Sequence, residues 1–227
     1  MSNSFKTFLK HTAKDFHNQS VNPPIVRAST IIFKSMNDIR KTQAKYKKDP
    51  RGGYFDYGRQ GTSTTHILQK ILSKLEESYY TFLTPTGFGS VFLAIFSIVR
   101  PGDEILTADP VYNPTRMLTQ DYLTEFGIKT TFYNPHDLKT LEKAITKKTK
   151  LIFVENPGSN TFDFQDLGKI VSIAKKHKIL TAIDNTWGTP YFLKPIKLGF
   201  DMSIVSATKY YSGHSDVMGG SLAVNKK

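Results

Sequence analysis

Apolar positions in this chain fall into short runs separated by longer amphipathic stretches, and the runs have the length of buried strands. Residues 79–83, 104–107, 129–133, 151–154, 179–183, 202–206 and 221–224 read as strands. Between them the period changes. Residues 62–77 set Ile67, Ile71, Leu72 and Leu75 on one helical stripe, and 91–99, 117–126, 136–147 and 166–177 are helical as well. Residues 37–48 read as one more helix, with Ser35 or Asn37 available as cap and Pro50 as stop. Strand alternates with helix, and polar residues cluster after the strands. That pattern predicts an α/β fold, a mostly parallel sheet covered by helices. Residues 1–20 read as a helical or irregular arm, and 21–33 as extended, because the consecutive Pro23 and Pro24 forbid helix. With no internal repeat, low-complexity tract or linker in sight, the expected division is an arm and extended segment over 1–50 and one large domain over 51–227.

The strand ends carry the candidate chemistry, since an open α/β sheet places its ligands there. After the run at 202–206 the chain breaks into small hydroxyl residues, Ser206 and Thr208, and then Lys209, Tyr210, Tyr211 and the turn-forming Ser212, Gly213, His214 and Ser215. A lysine at that place, crowded by hydroxyl donors, suits a Schiff base with an aldehyde cofactor. After 79–83 comes Thr84-Pro85-Thr86-Gly87-Phe88-Gly89-Ser90, opening directly into a helix. Strand, glycine turn and helix aim free backbone N–H groups at a phosphate. Tyr112 follows the second strand and Asp184 the fifth. The glycine-rich loop 51–61 presents Tyr57 and Arg59, an O–H and a guanidinium fork for one anion. Taken singly, each has an ordinary reading: a surface lysine, a packing glycine, a capping aromatic, a turn aspartate, an exposed loop.

Composition narrows the classes. At 227 residues and 39% hydrophobic, the chain can bury a substantial core. It has no apolar run of membrane-spanning length, so a soluble protein is expected. The first residues lack the apolar centre of a signal peptide, and Asp15 with no nearby arginine argues against a transit peptide. A cytoplasmic location is the expectation. Zero cysteines exclude disulfides and thiolate metal sites. The formal charge of +12 raises nucleic-acid binding. Its lysines, however, bunch at 41–48, 143–150 and 175–178, the ends of predicted helices, where cations favour the dipole. No aromatic platform for stacking bases is interleaved with them.

Seven segments together, VNPPIVRAST, YGRQGTST, PTGFGSV, DPVYNPTR, ENPGSN, AIDNTW and SATKYYSGHSD, have the order and spacing of one family. The chain resembles the trans-sulfuration, or Cys/Met-metabolism, enzymes that depend on pyridoxal 5′-phosphate (PLP), and within them most closely the bacterial cystathionine β-lyases. VNPPIVRAST, the PGS after Glu155, DNTW and GHSD point to that branch. Ser159 stands where sister γ-lyases usually have asparagine. The resemblance implies the large PLP-binding domain of the aspartate aminotransferase-like (fold type I) architecture. It implies that Lys209 holds the cofactor and shuttles protons, that Asp184 faces the pyridine nitrogen, and that Tyr112 stacks on the ring. Gly87 and Phe88 N–H groups, with Ser206 and Thr208 hydroxyls, would hold the phosphate. Tyr57 and Arg59 would reach the phosphate of a neighbouring subunit, so a homodimer or homotetramer is expected. The implied reaction is α,β-elimination of L-cystathionine, with γ-synthase or γ-lyase chemistry as the alternative. Family members continue into a smaller C-terminal domain whose arginine grips the substrate carboxylate, and no arginine here matches it. The expectation is therefore a chain lacking that domain, either a fragment or an inactive remnant, with little or no lyase activity as it stands.

Overall fold

A computed structural model describes residues 22–225, so the arm expected over 1–20 lies outside the described residues. Contacts divide the chain into two compact units, with the division between Lys74 and Leu75.

In the first unit, helix α1 (Met36–Lys48) starts where Ser35 Oγ accepts the Asp38 N–H and ends in Lys45, Lys47 and Lys48, cations at the dipole's negative end. The loop that follows is not without structure. It closes a 3₁₀ turn, Gly58–Gln60, and Tyr57 bridges to Thr30 of the extended proline segment. Gly58 permits the approach, since a Cβ there would lie 2.0 Å from the Ala28 carbonyl oxygen. Helix α2 (Ser63–Glu76), whose last two residues belong to the second unit, buries Ile67 and Leu72 of the expected stripe.

The second unit is one seven-stranded sheet. In chain order its elements are β1 (Tyr80–Thr84), α3 (Gly87–Ile98), β2 (Glu104–Ala108), α4 (Asn113–Met117), α5 (Leu123–Glu125), β3 (Lys129–Tyr133), α6 (Leu138–Ala144), β4 (Thr149–Glu155), α7 (Leu167–His177), β5 (Leu180–Asp184), α8 (Thr189–Phe192), α9 (Pro195–Leu198), β6 (Met202–Val205) and β7 (Gly220–Val224). Between α4 and α5 the helix widens to π geometry over Leu118–Tyr122. Strand order is β1-β7-β6-β5-β4-β2-β3, and only β7 runs antiparallel to its two neighbours. The core lies between sheet and helices: Leu106, Ile152, Phe153, Ile183 and Ile204 from the strands join Ala94, Ile95, Ile170 and Ala174 from the helices in one cluster. Burying each of the larger side chains among them contributes roughly 1.5–3 kcal/mol. Because β4, β5 and β6 are parallel, their C-terminal ends share one edge of the sheet. That edge is where the polar residues collect.

Candidate functional site

A cleft of about 220 Å³ opens at that edge. Seven of the residues expected to act together line it: Gly87, Phe88, Tyr112, Asp184, Ser206, Thr208 and Lys209. Tyr57 and Arg59 lie on the first unit, where the Arg59 guanidinium stands 5.9 Å from the centre of the Tyr57 ring.

Each side chain is placed by the end of an element. Helix α3 begins at the cleft, with Thr86 as its N-cap accepting the Gly89 N–H at 2.9 Å. The first N–H groups of the helix, those of Gly87 and Phe88, have no carbonyl in their own helix, and both residues line the cleft, an arrangement able to bind an anion. Gly87 has to be glycine: a Cβ would lie 2.5 Å from both Cβ and Oγ of Ser206. Lys209 sits in a turn after β6, pinned by the Lys209 N–H to Ser206 carbonyl bond (3.1 Å) and the Gly213 N–H to Lys209 carbonyl bond (2.7 Å). Its Nζ donates to Ser206 Oγ at 3.2 Å. Thr208 Oγ1 bonds both the carbonyl (3.2 Å) and the N–H (3.1 Å) of Gly219, which ties the turn to the start of β7.

Two carboxylates form the floor. Glu155 ends β4 and Asp184 ends β5, in direct register. Glu155 Oε2 accepts the Tyr112 N–H at 2.5 Å, so the same carboxylate fixes the backbone that presents the tyrosine. Asp184 Oδ1 accepts from both N–H (3.0 Å) and Oγ1 (2.7 Å) of Thr186. Burial, and then the neighbouring Asp184 charge, push the Glu155 carboxyl up to about 8. Burial also raises Asp184, while the Thr186 bonds and the Lys209 cation oppose the rise. Two acids that resist joint ionisation favour a cation between or beside them.

Sequence reasoning left Glu155 as a strand-end residue without a role, because nothing in one chain shows that two strands end in register. Thr86, Thr186, Trp187 and Met218 also line the cleft and were not assigned. Trp187 belongs to an aromatic rim, its ring 5.2 Å from Phe162 and 6.5 Å from Tyr210. Its place three residues after Asp184 was the available signal.

The donor set fits PLP. A helix N-terminus and a serine hydroxyl suit its phosphate, a cradle that a Cβ at Gly87 would fill. An acid pair suits a cationic ring nitrogen, an aromatic side chain suits its ring, and a primary amine suits its aldehyde.

The family profile described as Cys/Met metabolism PLP-dependent enzyme matches residues 6–227. A cystathionine beta-lyase of Bordetella avium is 35% identical over 206 residues, covering 90% of this chain and 51% of the relative. A cystathionine gamma-lyase of Homo sapiens is 37% identical over 172 residues, 75% of this chain and 42% of the relative. The metY protein of Campylobacter jejuni, solved with N′-pyridoxyl-lysine-5′-monophosphate, superposes with a TM-score of 0.87 at 31% identity, covering 98% of this chain and 54% of that one. The chain thus spans about half the length of the curated relatives it matches. Its sheet is the PLP-binding fold of these lyases, as the sequence motifs implied.

Proposed function

Since the chain belongs to the Cys/Met-metabolism PLP-dependent enzymes, we propose that it is the cofactor-binding part of a carbon–sulfur lyase of the cystathionine β-lyase type. The observation that carries this reading is the convergence of Lys209, Asp184, Tyr112 and the α3 N-terminus on one cleft.

Lys209 Nζ would hold the cofactor's aldehyde carbon. Asp184 would face its ring nitrogen, Tyr112 its ring, and Gly87, Phe88 and Ser206 its phosphate. Bound there, PLP supplies an electron sink for the charge that develops at the substrate's Cα. The remaining work falls to the chain. Lys209 Nζ would act as the base for the substrate's Cα proton, and the turn bonds at both its N–H and its carbonyl hold the residue in place. Glu155 holds the Tyr112 backbone, and so the ring orientation. Thr186 fixes the Asp184 carboxylate by two bonds. In the proposed reaction one water and L-cystathionine give homocysteine, pyruvate and ammonia, with the Cβ–S bond breaking as the thiolate leaves. Ser159 lines the cleft and supports the β-lyase form over the γ-lyase. The similarity to the human γ-lyase keeps γ-elimination as the second reading, separable by its product, 2-oxobutyrate. A homo-oligomer and a cytoplasmic location belong to the same proposal, with Tyr57 and Arg59 offered to the phosphate of a second copy.

The deciding experiment is borohydride reduction of protein mixed with PLP, followed by peptide mapping. Label on Lys209 is expected. Label elsewhere, at Lys175 or Lys178 for instance, or none on folded protein, overturns the assignment.

A further inference from the structure

Beneath the Lys209 turn lies a buried acid that the proposed chemistry does not use. Glu76 ends helix α2 and is completely buried. Its Oε1 accepts from the Tyr211 hydroxyl at 3.4 Å, and its Oε2 has no hydrogen-bond partner. Ser203 of β6 faces the carboxyl and Ser221 of β7 faces the Tyr211 hydroxyl, both serine hydroxyls being buried and outside hydrogen-bond geometry. The charged group turned toward Glu76 is Lys194, whose Nζ is engaged by the Leu75 carbonyl (3.1 Å) and by Glu77 (2.7 Å). Here a carboxyl is enclosed by neutral hydroxyls, with a cation drawn off to its neighbour.

Tyr211 is the connection to the site. It stands two residues after Lys209, in a turn closed further by the Ser212 N–H to Ala207 carbonyl (3.1 Å) and Ser212 Oγ to Thr208 carbonyl (2.9 Å) bonds. Such a turn moves as one piece, so what happens to the Tyr211 hydroxyl is felt at the Lys209 backbone.

We propose that Glu76 is a positioning residue: its buried carboxyl, bound to the Tyr211 hydroxyl, seats the turn that carries Lys209. This rests on Lys209 being the cofactor lysine. Burial pushes the Glu76 carboxyl up to about 7, against the weaker pull of Ser203, Tyr211 and Lys194. Below that pH the acid is neutral and sits in its pocket at far lower cost than the charge would. Above it a buried charge appears that the Tyr211 hydroxyl, Ser203 and Lys194 offset only in part, and the pocket relaxes toward water at its Tyr211 side. Lys209 is then seated at low pH and loosened at high pH.

Two readouts on the 227-residue chain test this. Trace acetylation scored by mass spectrometry gives the reactivity of Lys209 relative to the exposed Lys178 at each pH. A change in that ratio of about threefold to tenfold is expected between pH 6 and 8. Quenching of Trp187, the only tryptophan in the sequence, gives PLP affinity. The wild-type dissociation constant should rise about tenfold more over that range than that of Glu76→Gln, which cannot ionise. Tyr211→Phe, which removes only the linking hydroxyl, should flatten both profiles and serves if Glu76→Gln fails to fold. Superimposable profiles in wild type and variants overturn the proposal, even if the variants melt earlier, because a merely structural acid would lower stability without moving these curves. Should PLP not bind at all, the cofactor reading fails while the acetylation ratio still decides this one.

Discussion

The two ends of strand β6 are fastened by the same device, and only one end belongs to the candidate site. At the lower end, Thr181 Oγ1 donates to Asp201 Oδ2 (3.0 Å) and accepts the Asp201 N–H (3.0 Å). At the upper end, Thr186 Oγ1 donates to Asp184 Oδ1 (2.7 Å) and accepts the Ser206 N–H (2.8 Å). Each aspartate also receives its threonine's own N–H, at 2.8 and 3.0 Å. Both ends open on a cleft, and the lower one is larger, about 390 Å³ against 220 Å³. Neither hydrogen bonding nor volume separates them. The difference is what stands beside the aspartate. Asp184 has the buried Glu155 in register on β4 and the Lys209 amine across the cleft; burial raises its carboxyl, and the Thr186 bonds and the Lys209 cation oppose the rise. The lining of the lower cleft holds Asp201 with Lys175 and Lys178 and no second carboxylate. A clasp is structural by default, and it becomes chemical when uncompensated charge is buried against it.

The sharpest break of this comparison is the paired substitution Asp184→Asn and Asp201→Asn. In PLP-loaded protein, Asp184→Asn should slow exchange of an amino acid's α-proton for deuterium at least about a hundredfold, since a preorganised charge is commonly the largest contribution. Asp201→Asn should leave exchange unchanged and cost stability, about 1–3 kcal/mol by denaturant titration. Equal effects on exchange would erase the distinction between the two ends.

Glycines offer the next test. Gly87→Ala drives a Cβ to 2.5 Å from the Ser206 side chain inside the upper cleft. Forcing that overlap costs about 1–3 kcal/mol, which should appear as PLP affinity weakened by about tenfold to a hundredfold in Trp187 quenching. At the lower cleft, Gly199 has φ +107° and a Cβ there would meet the movable Lys175 Nζ at 2.9 Å. Gly199→Ala should lower the melting temperature and leave PLP affinity alone.

A smaller effect follows from the Glu155 carboxyl, raised from 4.5 to about 8. Between those values the folded state keeps a proton that the unfolded state has lost. Stability therefore falls as pH rises through that window and levels above it, with a slope of at most about 1.4 kcal/mol per pH unit for one proton. Glu155→Gln should flatten the curve and gain on the wild type as pH rises. Parallel curves from pH 5 to 9 would show that Glu155 is not held protonated by its surroundings.

Much of this was legible in the chain. All seven strands and the residues at their ends follow from short apolar runs broken by turn formers, and Lys209, Asp184 and Tyr112 were placed on one edge by that alone. The limits are equally physical. The insertion of β7 between β1 and β6, antiparallel to both, depends on pairing between distant segments, which local pattern does not encode. Helix 117–126 reads as regular, yet it takes a π-widened turn at Leu118–Tyr122. Glu155 and Glu76 look like solvent-facing acids because charge normally is. Only the register with Asp184 in one case, and enclosure by β6, β7 and Tyr211 in the other, shows that they are not.

The mildest substitutions isolate the clasps themselves. Thr181→Val and Thr186→Val keep volume and β-branching while deleting one hydroxyl each, and each leaves one backbone N–H, of Asp201 or of Ser206, without its acceptor. By hydrogen-bond count the two losses are the same, so each should cost about 1–3 kcal/mol in unfolding free energy. Cofactor affinity should divide them. Thr186→Val leaves the Asp184 carboxylate only one of its two Thr186 bonds and loosens the Ser206 backbone beside the proposed phosphate position, so PLP should bind about threefold to tenfold more weakly, the penalty of an imperfectly oriented charge-assisted contact. Thr181→Val disturbs only the far end of β6, and the strand between, Met202–Val205, is buried along its whole length and held on both sides. A strand so clamped transmits little displacement. If Thr181→Val weakens PLP as much as Thr186→Val does, β6 behaves as a lever rather than a fixed beam, and the two ends are one device.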